Sequence, residues 1–158
     1  MNDQDKVMEI VVYKSERRLE VRHSDGSLRS FRAAVGYEAS GPKLKEGDLR
    51  TPEGEYYIFT RNPKSEFYLS LAVSYPNAED AERGFKAGMI SREEADDIRE
   101  IIDIKGRPPQ KTALGGEIYI HGGGCEREGT RGCIGLDNED MKWLFDRTDN
   151  GTSVKIFP

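Results

Sequence analysis

From residue 8 onward, apolar and polar side chains alternate with a period of two, and short turn-forming runs interrupt the alternation. In MEIVVYKSERRLEVRH, Ile10 and Val12 alternate, then Leu19 and Val21, with Lys14-Ser15-Glu16 between them. Successive side chains of a strand point to opposite faces, so this pattern predicts a hairpin with one face buried. His23-Ser24-Asp25-Gly26 makes a second turn, where Gly26 can take a positive φ and His23 reads as an exposed turn residue. SLRSFRAAVG supplies a third strand. Strands joined by turns this short pair antiparallel, which already restricts the chain to a mainly β architecture.

The stretch GPKLKEGDLRTPEGEYYI interrupts the alternation. Its prolines and glycines forbid regular structure until a strand forms around Tyr56 and Ile58. Another strand covers residues 67 to 73, and Asn77 to Gly84 has the length of one or two helical turns. SREEADDIREIID predicts a firmer helix, with Ser91 as N-cap and Glu94 completing a capping box. Ala95, Ile98, Ile101 and Ile102 form its apolar stripe, and Gly106 and Pro108 stop it. The acidic cluster Glu93, Glu94, Asp96 and Asp97 reads as a solvated face with charges that suit a helix N-terminus. GEIYIHG is a strand ending at His121. Asp137 then caps NEDMKWLFDRT, which turns Met141, Leu144 and Phe145 inward, and GTSVKIF is the last strand. About seven strands, mostly antiparallel, with two or three helices describe a mainly β (α+β) fold: a β-sandwich or barrel-like core with helices on its edge. At 158 residues, with no repeat or linker, residues 1–158 read as a single domain.

Charge narrows the partners. Charged residues make up 34% of the chain and the formal net charge is −5. Nucleic acid requires a cationic field, so it is excluded as a general partner, as is an anionic membrane surface. No apolar run approaches the ~20 residues of a membrane span. The start, MNDQDKVMEI, lacks a basic segment followed by an apolar one, so no signal peptide is expected within this chain.

One stretch concentrates the reactive chemistry. IHGGGCEREGTRGCIGL, residues 120 to 136, holds one of the two histidines, both cysteines and six of the 17 glycines. His121 ends a strand, and Cys133 follows twelve residues later. A cysteine attacks as its thiolate, and a nearby imidazole is the common way to generate one at neutral pH. Flanking glycines let a carbonyl approach the backbone and leave N–H groups for a developing oxyanion. Such a pair needs no metal or organic cofactor. Cys125 competes for the role, but Glu126 beside it disfavours a thiolate. A Cys125–Cys133 disulfide would abolish nucleophilicity. Zinc is disfavoured, because His121, Cys125 and Cys133 lack close pairing and a fourth ligand.

IHGGG followed by GTRGCIGL resembles the signature of the L,D-transpeptidase catalytic domain, the YkuD family: a His-Gly at a strand end, a variable loop, then Ser/Thr-x-Gly-Cys. Thr130, Gly132 and Cys133 match it. GDLRTPEGEYYI, the opening hairpin and the closing NGTSVKIF resemble further family segments. The resemblance implies a mostly β catalytic domain acting on peptidoglycan stem peptides, with Cys133 as nucleophile and His121 as proton relay. It implies that Gly132 and Cys133 supply oxyanion N–H groups, that Thr130 orients the site, and that the carbonyl of Gly122 or Gly123 supports the histidine. Many members carry a basic residue where this chain has Gly135, and Arg131 is a candidate to replace that cation at the substrate carboxylate. It further implies a transpeptidase with L,D-carboxypeptidase, cross-link-cleaving or protein–peptidoglycan hydrolase activity as the alternative, and covalent inhibition by carbapenems. A periplasmic or extracytoplasmic location, with any signal already removed, goes with that substrate. A catalytically silent peptidoglycan-binding domain is the reading from another class.

Overall fold

The structure, a computed structural model, describes residues 5–66, 68–125 and 129–158. Eight strands and three helices follow in the order β1 (Val7–Tyr13), β2 (Arg18–His23), β3 (Leu28–Arg32), β4 (Gly54–Ser65), β5 (Tyr68–Val73), α1 (Ala78–Lys86), α2 (Arg92–Asp103), β6 (Tyr119–His121), β7 (Ile134–Gly135), α3 (Asn138–Arg147) and β8 (Ser153–Phe157). The strands form one sheet in the order β3-β2-β1-β8-β4-β5-β6-β7. The expected hairpin is present, with Ile10 opposite Val21 and Val12 opposite Leu19. All four side chains are fully buried, as the alternation requires.

Antiparallel pairing dominates, with two parallel exceptions. β8 lies parallel to β1, and β7 lies parallel to β6. Both join segments that no short turn connects, which hairpin logic does not reach. β4 is longer than the Tyr56–Ile58 neighbourhood suggests, because its first residues pair with β8 and its later ones with β5. The expected third strand is shorter. It leaves the ladder after Arg32, and its tail bridges to the far edge of the sheet, Ala34 to Gly135 and Gly36 to Thr130. Those bridges join the extension of one edge strand to the opposite edge. The sheet therefore curls on itself, and this is the physical content of the barrel-like expectation.

The curl encloses a core of aliphatic side chains from the strands, closed on one side by α3 through Met141, Leu144 and Phe145. Asp137 occupies the N-cap position of α3 but makes no capping hydrogen bond. Its carboxylate accepts from the Cys125 N–H instead (3.0 Å). α1 and α2 form a smaller cluster with Leu114, and each starts with a capping box, Asn77 with Asp80 and Ser91 with Glu94. His23 is not an exposed turn residue. It ends β2 and meets the Trp143 ring edge-on at 5.6 Å. No helix among the described residues is long and apolar enough to cross a membrane.

Candidate active site

His121 and Cys133 come together through the β6–β7 pairing. Ile120 is opposite Ile134 and His121 opposite Gly135, and both isoleucines are fully buried in the core. Alternation then puts His121 on the other face of the sheet, and continuing the register places Cys133 beside Tyr119 on that same face. The two reactive side chains lie on adjacent strands, offset by two residues, roughly 6–7 Å at the rise of a strand. The Tyr119 N–H donates to Cys133 Sγ at 3.4 Å, which fixes the sulfur at that level. The thiol in turn points at the Glu117 carbonyl, 3.5 Å away.

The imidazole is oriented from behind. His121 is buried, and its Nδ1 lies 2.5 Å from the carbonyl of Gly122. A carbonyl only accepts, so Nδ1 carries the proton and the lone pair sits on Nε2. Gly122 is thus one of the two residues named for that contact. The ring leans over Gly135, where a Cβ would meet His121 Cε1 at 3.7 Å and the Gly124 carbonyl oxygen at 2.9 Å.

The loop that carries the thiol is held by hydroxyl groups. Thr130 Oγ1 donates to the Cys133 carbonyl (2.6 Å) and accepts from the Gly132 N–H (3.0 Å). The family resemblance assigns that N–H to an oxyanion. Here it is engaged by Thr130, and the Gly132 carbonyl accepts from Thr51 Oγ1 (2.8 Å). What the structure requires of Gly132 is conformational: φ is +135°, and a Cβ would come within 2.8 Å of the Arg50 carbonyl oxygen. Arg131 is exposed on the same loop. Cys125 is buried, and no disulfide joins it to Cys133. Glu126, the residue held to disfavour a Cys125 thiolate, lies outside the described residues.

Three supports escaped sequence reasoning. Thr51 is fully buried, and besides holding Gly132 it accepts from the Gly36 N–H (2.9 Å), tying the tail of the third strand to the cysteine loop. Its own carbonyl accepts from the buried Lys14, whose ammonium also reaches the Gly41 carbonyl and Glu53. Gln110 clamps the other side. Its amide donates to the Tyr75 and Pro108 carbonyls and accepts from the Glu117 N–H at 2.7 Å. The TPEG motif was the only signal for Thr51. Lys14 and Gln110 gave none, because the partners of Lys14 and the Tyr75 carbonyl that Gln110 holds are remote in sequence.

Glu117 and Tyr119, whose backbone groups contact the sulfur, line a cleft of about 300 Å³ together with Asn62, Ser65, Glu66, Ser70 and His121. Burial pushes the Cys133 thiol up, and the Glu117 carboxylate adds to this; the Tyr119 N–H and the charge of Lys43 oppose it. The resting group is therefore a thiol, which needs a base to become a nucleophile. Among the described residues no cluster of His, Cys, Asp and Glu could hold a metal ion.

A family model described as the L,D-transpeptidase catalytic domain, YkuD, matches residues 8–156. The chain belongs to this family. Over 84 residues it is 32% identical to YafK of Escherichia coli strain K12, provisionally named an L,D-transpeptidase; the match covers 49% of this chain and 34% of YafK. Among solved structures, the helical cell shape determining protein Pgp2 of Campylobacter jejuni (K307A mutant) superposes with a TM-score of 0.63 and 27% identity, over 98% of this chain and 48% of Pgp2. An L,D-transpeptidase of Mycobacterium smegmatis shares the fold, with a TM-score of 0.56 at 14% identity, over 95% of this chain and 58% of that one. The chain thus spans about a third of YafK and half of Pgp2.

Proposed function

We propose that this YkuD-family chain is a single catalytic domain that performs cysteine-dependent acyl transfer on peptidoglycan stem peptides. The observation that carries this is the shared face of β6 and β7, which brings His121 and Cys133 onto adjacent strands, with Sγ held by the backbone of Tyr119 and Glu117. His121 Nε2 takes the proton of the Cys133 thiol as sulfur attacks the carbonyl carbon of the third stem residue, a diamino acid. The carbonyl oxygen becomes an oxyanion, to which the Cys133 N–H donates. The C–N bond to the terminal D-Ala then breaks, and His121 returns the proton to the leaving amine. A thioester remains on Cys133.

An acceptor amine attacks that thioester, loses its proton to His121 and restores the thiol. Amine as acceptor gives transpeptidation; water gives L,D-carboxypeptidase trimming, and a cross-linked or protein-linked donor gives hydrolysis of that bond. The Gly122 carbonyl acts as the third member, holding the imidazole tautomer and stabilising imidazolium. Thr130 and Gly132 shape the loop, and Arg131 sits where a substrate outside the cleft would pass. The cell envelope is the compartment where such a substrate lies. Incubation with purified muropeptides and measurement of product masses tests the proposal. Loss of D-Ala or formation of a new cross-link, abolished in Cys133→Ala, is expected. Binding without turnover, unchanged in Cys133→Ala, would make the chain a peptidoglycan-binding domain instead.

A further inference from the structure

Two backbone groups touch the sulfur, the Tyr119 N–H and the Glu117 carbonyl. The first belongs to β6. The second lies just before the sheet: Ile118 is tied to β5 through the Val73 N–H on its carbonyl (2.8 Å), and Glu117 lies outside the β5–β6 register. Its φ is +56°, in the left-handed region that a non-glycine residue adopts only where its surroundings enforce it. The enforcing contact is Gln110. Its amide oxygen accepts from the Glu117 N–H at 2.7 Å, and its Nε2 donates to the Tyr75 and Pro108 carbonyls at 2.9 and 3.0 Å. Together the three bonds fix the orientation of the amide, because the reverse would set NH2 against an N–H and oxygen against two carbonyls. A carboxylate in this place could not donate, and an apolar side chain could neither donate nor accept. Gly116 passes so close that a Cβ there would come within 2.6 Å of the Gln110 carbonyl oxygen. The 110–117 segment is thus folded back onto its own first residue. A separate tie holds its middle: the wholly buried Tyr75 donates its hydroxyl to the Leu114 carbonyl at 2.7 Å.

We propose that Gln110 is a positioning residue for the nucleophile: through the Glu117 peptide it aims the carbonyl that receives the Cys133 S–H. A carbonyl oxygen accepts from a thiol and repels a thiolate, so this contact favours the protonated sulfur and fixes the direction of its S–H. With Gln110 in place, the resting thiol keeps its proton until substrate arrives and His121 takes it. Without Gln110, Glu117 leaves the left-handed region, its carbonyl turns away, and the sulfur loses both its acceptor and its fixed direction. The consequence for turnover rests on the acyl-transfer reading; the consequence for the thiol does not. The titratable groups that act on the sulfur, Glu117, Lys43, His121 and Tyr119, all remain when Gln110 is replaced.

The test compares Gln110→Met, which keeps the length of the side chain and loses all three bonds, with Tyr75→Phe, which loosens the same segment and leaves Gln110 on Glu117. Alkylation of Cys133 by iodoacetamide, mapped by mass, is followed as a function of pH. Denaturant unfolding and release of D-Ala from purified tetrapeptide muropeptides are measured on the same preparations. In Gln110→Met the rising limb of alkylation moves to lower pH, so that at a fixed pH on that limb the rate climbs about threefold to tenfold, the size of one hydrogen bond lost from the neutral thiol. D-Ala release falls about tenfold or more. In Tyr75→Phe unfolding becomes easier, and alkylation stays within about twofold of native. A rise of less than about twofold in Gln110→Met, below the smallest worth of such a bond, overturns the proposal. So does an equal rise in Tyr75→Phe, or unchanged D-Ala release in Gln110→Met where the native chain releases it. Gln110→Asn, one methylene short of spanning its partners, is read by the same limits if Gln110→Met does not fold. Failure of both to fold makes Gln110 purely structural and overturns the proposal too. No D-Ala release by the native chain removes the acyl-transfer reading and leaves the alkylation comparison to decide the role of Gln110.

Discussion

The β1–β2–β3 hairpins and the cysteine loop at 129–135 both join the same curled sheet, but different forces hold them. In the hairpins, Ile10, Val12, Leu19 and Val21 are wholly buried along a regular ladder, and removal of apolar surface from water does the holding. That force is non-directional, so it fixes a shape only to within what close packing demands. The cysteine loop is held by single directional contacts: Thr130 on Gly132 and Cys133, Thr51 on Gly36 and Gly132, Gln110 on Glu117. Directional bonds aim a sulfur atom; apolar burial does not. The comparison predicts that lesions in the hairpins reduce stability and spare the chemistry, and that lesions in the hydroxyl clamps do more harm to the chemistry than to the fold.

The largest expected effect lies where the two regions meet. Lys14, at the end of the first hairpin, buries its ammonium against the Thr51 carbonyl, the Gly41 carbonyl and Glu53. Lys14→Ala leaves those acceptors without their cation, a lesion worth about 3–5 kcal/mol by the measure of other buried ion pairs broken on one side. Denaturant unfolding measures it, and a loss below about 1 kcal/mol would show that the site rehydrates. Leu19→Ala in the hairpin follows, at about 2–5 kcal/mol, with Cys133 alkylation unchanged under conditions where the variant stays folded. A slowed alkylation in that variant would erase the distinction between the regions.

Thr51→Val sharpens it. The loss of two buried hydrogen bonds costs about 1–3 kcal/mol, and acyl transfer falls about tenfold to a hundredfold because the Gly132 carbonyl is no longer anchored. Equal losses in stability and rate in this variant and in Leu19→Ala would sink the comparison. Glu117→Gln affects the chemistry alone. Burial and this carboxylate both raise the Cys133 thiol, so the native alkylation rate should keep climbing with pH beyond the ordinary thiol range. Removal of the carboxylate lowers the thiol, and the rising limb moves to lower pH. A limb that stays in place or moves up would mean that the Glu117 charge does not act on the sulfur. Arg131→Ala is the smallest: as an exposed loop residue it shifts stability by less than about 0.5 kcal/mol.

The same contrast governs what could be read from the chain alone. Period-two alternation located β1 and β2, and Ser91 with Glu94 located the start of α2, because both signals are local. His121 and Cys133 were legible as a motif, since their separation is short and their chemistry distinctive. The parallel pairing of β1 with β8 was not, as nothing in either strand names its partner across the length of the chain. Thr51 acts on Gly132 from 81 residues away, and Gln110 on the Tyr75 carbonyl from 35. Each of these is a single polar side chain whose meaning is its partner, and only the fold supplies the partner.

The central claim is that one imidazole activates one sulfur. Its most direct test is carbapenem labelling followed by intact-mass measurement and peptide mapping. The account predicts one adduct, on Cys133, absent in Cys133→Ala, retained in Cys125→Ala, and formed at least about a hundredfold more slowly in His121→Ala. An adduct on Cys125, or an undiminished rate in His121→Ala, would contradict it.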